Sequence, residues 1–314
     1  MRFFKGFRPL SDRNEAEAHS ENAPAPAEEM SNLNDEDSLE PDTSQLGPLA
    51  GLAPFSPVVI ALLRLFEKED VEIAEVAKLV ESDPALTSEL LLLVNSPIFG
   101  LPSMVTNPAH AAKLLGLDMV LALATTVAMR TTLRILPRSG AVRRLWKHSM
   151  ATSSIASDLA PIYGTPKDFA HTAGILHDLG RLGLIAAYSE SYPVMAGKTY
   201  QTRADILRAE HSEWGMDHCE AGLRLASAWR LPTALQQIAA RHHESMRGRD
   251  LLSLIHTSCL LADDCGFDAI SYGYRSDLAS TVQTYVPEEL RPRIMEKLPD
   301  MEKKIVSRLE TLDL

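Results

Sequence analysis

From residue 48 onward the apolar side chains of this chain recur at helical spacing and almost never alternate. Val58, Leu62, Leu65 and Phe66 share one helical face. So do Ile73, Val76, Ala77 and Val80, and then Leu86, Leu90, Leu93 and Val94. A repeat of three to four residues lets one stripe of a helix face a core, whereas a strand needs a repeat of two. Strand-like alternation bounded by turns is missing, so the predicted fold class is all-α, a multi-helix bundle. Start signals agree: Asp83-Pro84, Asn107-Pro108 and Thr165-Pro166 each place a capping side chain before a proline suited to the first helical turn. Gly100, Gly116, Gly164 and Gly180 fall where helices should stop or turn. The pattern predicts roughly 12 to 15 helices.

Residues 1–47 are different. They carry four basic and eleven acidic side chains, and from residue 11 almost no large apolar ones. Such a segment buries too little surface to offset its ordering entropy, which predicts a disordered acidic tail over 1–47. Its tip interleaves Phe3, Phe4 and Phe7 with Arg2, Lys5 and Arg8, either a frayed terminus or a contact point for an anionic membrane or partner. A helical domain is expected over 48–270, divided by the polar link Pro137-Arg138-Ser139-Gly140 into two tightly associated subdomains, 48–137 and 141–270. Residues 271–314 read as a charged helical extension.

The net charge of −11 disfavours DNA as the main partner, because neutralising phosphates takes a surplus of Lys and Arg. No apolar run reaches the roughly 18–20 residues of a membrane span, and Met1 to Leu10 lack the apolar core of a signal peptide. Three cysteines, Cys219, Cys259 and Cys265, fit a reducing compartment better than a disulfide framework, so a cytoplasmic location is expected.

Eight of the ten histidines lie between His148 and His256, which makes that stretch the place to look for chemistry. The residues able to act together are His148, the adjacent His177 and Asp178, His218, the adjacent His242 and His243, and Asp263. Imidazole and carboxylate together suit Mn, Fe, Zn or Ni, and a pair of such ions suits phosphoester hydrolysis. His110, His171 and His256 lack spaced partners and read as ordinary structural histidines. His177-Asp178 reads no better than evenly as a site from its chemistry alone, and His242-His243 also reads as a helix C-terminal cap favoured by the macrodipole. Dinucleotide, P-loop, zincin and serine-hydrolase signatures are all missing, and each cysteine lacks a local reactive signature.

The motifs match a known pattern. Ser82-Asp83-Pro84-Ala85-Leu86, Asn95-Ser96-Pro97-Ile98-Phe99-Gly100 and Leu115-Gly116 come first. Trp146-Lys147-His148-Ser149, Gly174 through Arg181, Glu210 through Gly222, Trp229-Arg230-Leu231-Pro232 and His242-His243 follow. Over roughly residues 50–265 the chain resembles the HDOD domain, an output domain of bacterial signalling proteins related to the HD phosphohydrolases. The resemblance implies a compact HD-like fold and a regulatory module acting through contacts with signalling proteins. A divalent metal (one or two ions) or a nucleotide second messenger in its HD-like site is the accompanying expectation. HD enzymes would place metal on His148, His177, Asp178 and Asp263, and their HD-GYP relatives would add His218, His242 and His243. The Gly-Tyr-Pro motif of the latter is missing, since His242-His243-Glu244 runs into Ser-Met-Arg-Gly-Arg-Asp. Arg181 stands where the hydrolases often have lysine. The alternative is a metal-dependent phosphohydrolase acting on a nucleotide or cyclic nucleotide, with Asp178 catalytic and Arg181 holding phosphate.

Overall fold

The computed structural model describes residues 44, 46–68, 71–96, 104–244 and 246–311. The expected acidic tail up to residue 43, its basic-aromatic tip and the stop at Gly100 lie outside the described residues. The first half of the chain forms α1 (Pro57–Arg64), α2 (Ile73–Glu81), α3 (Pro84–Val94), α4 (Pro108–Leu115) and α5 (Leu117–Ile135). The second begins with α6 (Gly140–Tyr163), α7 (Lys167–Leu176), α8 (Leu179–Ala187) and α9 (Ser191–Ala196). It continues with α10 (Arg203–Trp214), α11 (His218–Ala228), α12 (Thr233–Arg241) and α13 (Leu251–Asp264). The short helices α14 (Leu278–Tyr285), α15 (Arg291–Met295) and α16 (Met301–Thr311) close the chain. The fold is all-α, as the periodicity predicts. Among the described residues no helix is long and apolar enough to cross a membrane.

Local chemistry accounts for most helix ends. Asp83 Oδ1 accepts from the Leu86 amide and Asn107 Oδ1 from the His110 amide, so both Asx-Pro starts work as caps. Thr165-Pro166 does not: Pro166 itself is the capping residue, α7 starts at Lys167, and the Thr165 amide instead closes the end of α6 on Ala160 O. Gly164 ends α6 in the left-handed region, at φ 74°. Gly180 is a second correction. It lies inside α8, and the reversal falls before it, at His177-Asp178. Its value is closeness: a β-carbon there would sit 1.8 Å from the His218 carbonyl oxygen and 2.5 Å from the Gly222 amide nitrogen. Helices α8 and α11 therefore meet backbone to backbone.

Helix α6 is the axis of the molecule. It packs on α7, α13 and α16, while α5 bridges from α1, α3 and α4 to α7. The link between α5 and α6 is short, and one apolar core runs across it from Leu46 to Ile305. Leu46 and Leu49 already belong to that core, so packing begins slightly before residue 48. One tiny sheet interrupts the helices: β1 (Thr199–Tyr200) pairs in parallel with β2 (Ser271–Tyr272). Two residues per strand are too few to leave an alternation in the sequence.

Candidate metal centre

Six of the predicted residues meet where α6, the α7–α8 corner, α11 and the end of α12 converge. His148 reaches in from α6, His177 and Asp178 from the corner, His218 from the first turn of α11, and His242 and His243 from the residues that follow α12. All but His243 are 2% exposed or less. The adjacent pair His177-Asp178 can serve one centre because it forms the corner itself, where neighbouring side chains need not diverge as they do along a helix.

The contacts of the ring nitrogens set which lone pairs the cluster presents. His177 Nδ1 lies 2.8 Å from Gly174 O, His148 Nδ1 2.9 Å from Phe267 O, and His242 Nδ1 3.1 Å from Ile238 O. Carbonyl oxygens only accept, so each Nδ1 carries the proton and each Nε2 presents a lone pair. His218 follows the same rule, with Nδ1 donating to Glu210 Oε2. The lone pairs then face one another: His148 Nε2 and His177 Nε2 are 3.1 Å apart. His242 Nε2 is buried, has no aligned hydrogen bond, and lies 3.4 Å from Asp178 Oδ1, another acceptor. Acceptors pointed at acceptors are a donor set suited to a cation. Each Nδ1–H anchored on a carbonyl or carboxylate is the arrangement that orients metal-ligating histidines. Three sets of side chains come close enough to share an ion: His148, His177 and Cys259; His177, Asp178 and His242; and His218, Cys219, His242 and His243.

One cation is already built in. Arg181, on α8 one turn past Asp178, is buried and places Nε 3.1 and 3.2 Å from the two carboxylate oxygens. Its Nη1 donates to Glu210 Oε1 at 2.9 Å and to the Tyr192 hydroxyl at 3.3 Å, and Nη2 lies 3.3 Å from His218 Nε2. Burial alone would push Asp178 up, but the Arg181 guanidinium and neighbouring imidazoles hold it well below the usual carboxylate range. Glu210 is lowered too, against its burial, by His218 and Arg181. Burial pushes His177, His218 and His243 down, so all three are neutral near neutral pH.

Asp263 stands one ring away from the facing lone pairs. Its Oδ1 is 3.3 Å from His148 Nδ1, the outer side of that imidazole, and its other oxygen pairs with Arg203. Asp263 and His243 line a cavity of about 380 Å³ that also contains Arg203, His256, Tyr272 and Tyr285. His256 is not isolated: its Nδ1 lies 2.7 Å from His242 O. Sequence reasoning missed Glu210, Arg203 and Cys259 as members of this neighbourhood. A signal for Cys259 existed, because His256, Cys259 and Asp263 are spaced three and four apart and so share one face of α13.

A helical corner presenting His-Asp against histidines from three other helices is the mark of the HD-like folds, and the comparisons agree. The HDOD domain family model matches residues 52–245, well over half of the chain, and the chain belongs to that family. An uncharacterized protein of Treponema pallidum (strain Nichols) is 29% identical over 194 residues, which cover 59% of this chain and 36% of that relative's length. Among solved structures, an HDOD domain protein of unknown function from Geobacter sulfurreducens superposes with a TM-score of 0.61 at 21% identity. That match covers 85% of this chain and 94% of the other. A protein of Shewanella amazonensis SB2B, described by inference as a phosphohydrolase, gives a TM-score of 0.57 at 20% identity, covering 85% of this chain and all of the other. At these identities the likeness shows the fold.

Proposed function

We propose that this chain is a regulatory HDOD module that holds a divalent metal ion in its histidine cluster and acts through contacts with a signalling partner. The observation that carries the reading is Arg181. Its guanidinium faces both Asp178 oxygens through Nε and reaches His218, placing a fixed cation on the side of Asp178 that a second ion would need. Guanidinium binds no water to be activated and cannot lose a proton. The residues that would hold an ion on the other side, His148, His177 and Asp178, are buried at 2% exposure or less. A phosphoester would need to reach that ion, and burial of its ligands works against it. Bound there, a divalent ion would supply positive charge between lone pairs that otherwise repel, so its contribution is to order the α6–α7–α8 corner. Asp263 serves in this reading as the carboxylate that orients His148.

The approach of His218 and His242 to Asp178 Oδ1, with His243 grouped beside both, favours the second reading, a metal-dependent phosphohydrolase. A turnover screen separates the two. Protein loaded with Mn, Fe, Zn or Ni is tested against bis(p-nitrophenyl) phosphate and a panel of nucleotides and cyclic nucleotides. The regulatory reading expects no turnover by the wild type. Turnover that disappears in a folded Asp178→Asn variant would overturn it in favour of the enzyme.

A further inference from the structure

The cysteine on α13 enters the cluster one turn before Asp263, the residue of that helix which the HD pattern would make a ligand. Cys259 Sγ lies 3.5 Å from His148 Nε2, and it is buried with His148 and His177. Both imidazoles offer lone pairs toward it, for the reason given above. Asp178 Oδ2 completes the set at 3.8 Å from His148 Nε2 and 3.7 Å from His177 Nε2. These separations can be compared with a known solid. A tetrahedral zinc centre with metal–nitrogen bonds of about 2.0–2.1 Å and a metal–sulfur bond of about 2.3 Å sets its ligand atoms roughly 3.3–3.6 Å apart. The observed edges are 3.1 Å between the two nitrogens and 3.5 Å between sulfur and His148 Nε2. Cys259 Sγ and the two imidazole nitrogens thus already lie within 4.8 Å of one another, and Asp178 Oδ2 stands 3.7–3.8 Å from both nitrogens. Their second contacts are also those of ligands. His148 and His177 are each anchored through Nδ1 on a backbone carbonyl, and Asp178 on Arg181.

We infer that Cys259 is a metal ligand, and that His148, His177, Asp178 and Cys259 form a nitrogen–oxygen–sulfur site selecting zinc over manganese or magnesium. The inference rests on the reading that the cluster holds metal. It deepens that reading by naming the ion class. Thiolate is a soft donor that favours zinc, whereas manganese and magnesium prefer oxygen. Four protein ligands also leave no open position, which is the pattern of a structural rather than a catalytic zinc. The thiol proton is released to solvent when the sulfur binds the ion.

Cobalt(II) alone is the probe, added to the full chain after stripping with a chelator. The wild type should develop intense visible bands of tetrahedral cobalt together with a near-ultraviolet thiolate-to-cobalt charge-transfer band. Zinc should abolish both, and excess manganese should leave them. The charge-transfer band should be lost in Cys259→Ser and kept in Cys219→Ser and Cys265→Ser. If Cys259→Ser fails to fold, a band kept in the Cys219→Ser/Cys265→Ser double variant still assigns it to Cys259, the remaining cysteine, and its loss there overturns the assignment. Bound cobalt without a charge-transfer band, or a band that survives in Cys259→Ser, would overturn the thiolate ligand and leave the metal reading standing. Displacement of cobalt by manganese would overturn the selectivity. A folded wild type that retains no cobalt would overturn both the thiolate ligand and the metal reading beneath it.

Discussion

Gly180→Ala tests the closest backbone contact behind the site. The added β-carbon would lie 1.8 Å from His218 O and 2.5 Å from the Gly222 nitrogen. Comfortable nonbonded contacts are about 3.5–4 Å, so α8 must retreat from α11 by more than an ångström. No rotamer change can relieve the clash, because both opposing atoms are main chain. Overpacking a core by a methylene costs about 1–3 kcal/mol where side chains can adjust, and here the cost should reach about 3–5 kcal/mol. Alanine recovers about 0.5–1 kcal/mol of helix propensity, which leaves a net loss of about 2–4 kcal/mol. At about 2–4 °C per kcal/mol for a chain of this size, Tm should fall by roughly 5–15 °C. Gly183→Ala, one turn along α8, is the internal control. Its β-carbon would meet the Leu225 Cδ1 methyl at 2.5 Å and Leu49 Cδ2 at 3.2 Å, both ends of rotatable side chains. There the propensity gain should nearly offset the strain, leaving stability within about 1 kcal/mol of wild type. Calorimetry or thermal denaturation by circular dichroism reads both. Equal Tm values for the two variants, or a Gly180→Ala protein as stable as wild type, would refute the backbone-contact argument.

Arg181→Gln should destabilise the fold by about 3–5 kcal/mol in urea denaturation, because it strands Asp178 and Glu210 as buried, unpaired carboxylates. Arg181→Lys should recover only part of that loss, since an ammonium cannot match the forked geometry. A change under about 1 kcal/mol in Arg181→Gln would argue that the pair is solvated. The partly buried His171 lies 3.0 Å through Nε2 from Thr126 Oγ1, and burial pushes its imidazole down to about 4. Between that value and the ordinary 6.5 the unfolded chain binds the proton and the folded chain does not, so this stability is complete above 6.5 and lost on acidification toward 4. The ceiling is about 3 kcal/mol, so the wild type should lose more stability than His171→Gln between about pH 7 and about pH 4.5. Parallel pH profiles for the two proteins would contradict it.

Periodicity alone carried the helical class. The caps at Asp83 and Asn107 were legible for the same reason: one side chain and one proline act within a single turn. Gly180 was misread as a stop because sequence shows that a position lacks a β-carbon without showing what presses against it. The histidines were visible as a cluster along the chain. Their convergence came from the HDOD resemblance, since residues as far apart as His148 and His242 meet only through packing. Glu210, Arg203 and Cys259 were harder still, because each contributes through a partner on a different helix. The roles of tautomer and lone pair were invisible, being set by the carbonyls of Gly174, Ile238 and Phe267, which no residue type encodes.

The Phe267 carbonyl has a consequence for how this domain is cut out and reused. The family match stops at residue 245, yet α13 and the turn after it lie beyond that point. A graft carrying residues 52–245 into another protein would keep five of the six clustered His-Asp residues in place and would also retain His148. It would discard the carbonyl and the carboxylate that fix which way that imidazole is turned. His148 would then be free to rotate and to exchange its proton between two nitrogens. The inherited segment and the segment that keeps its chemistry in register are different lengths of chain.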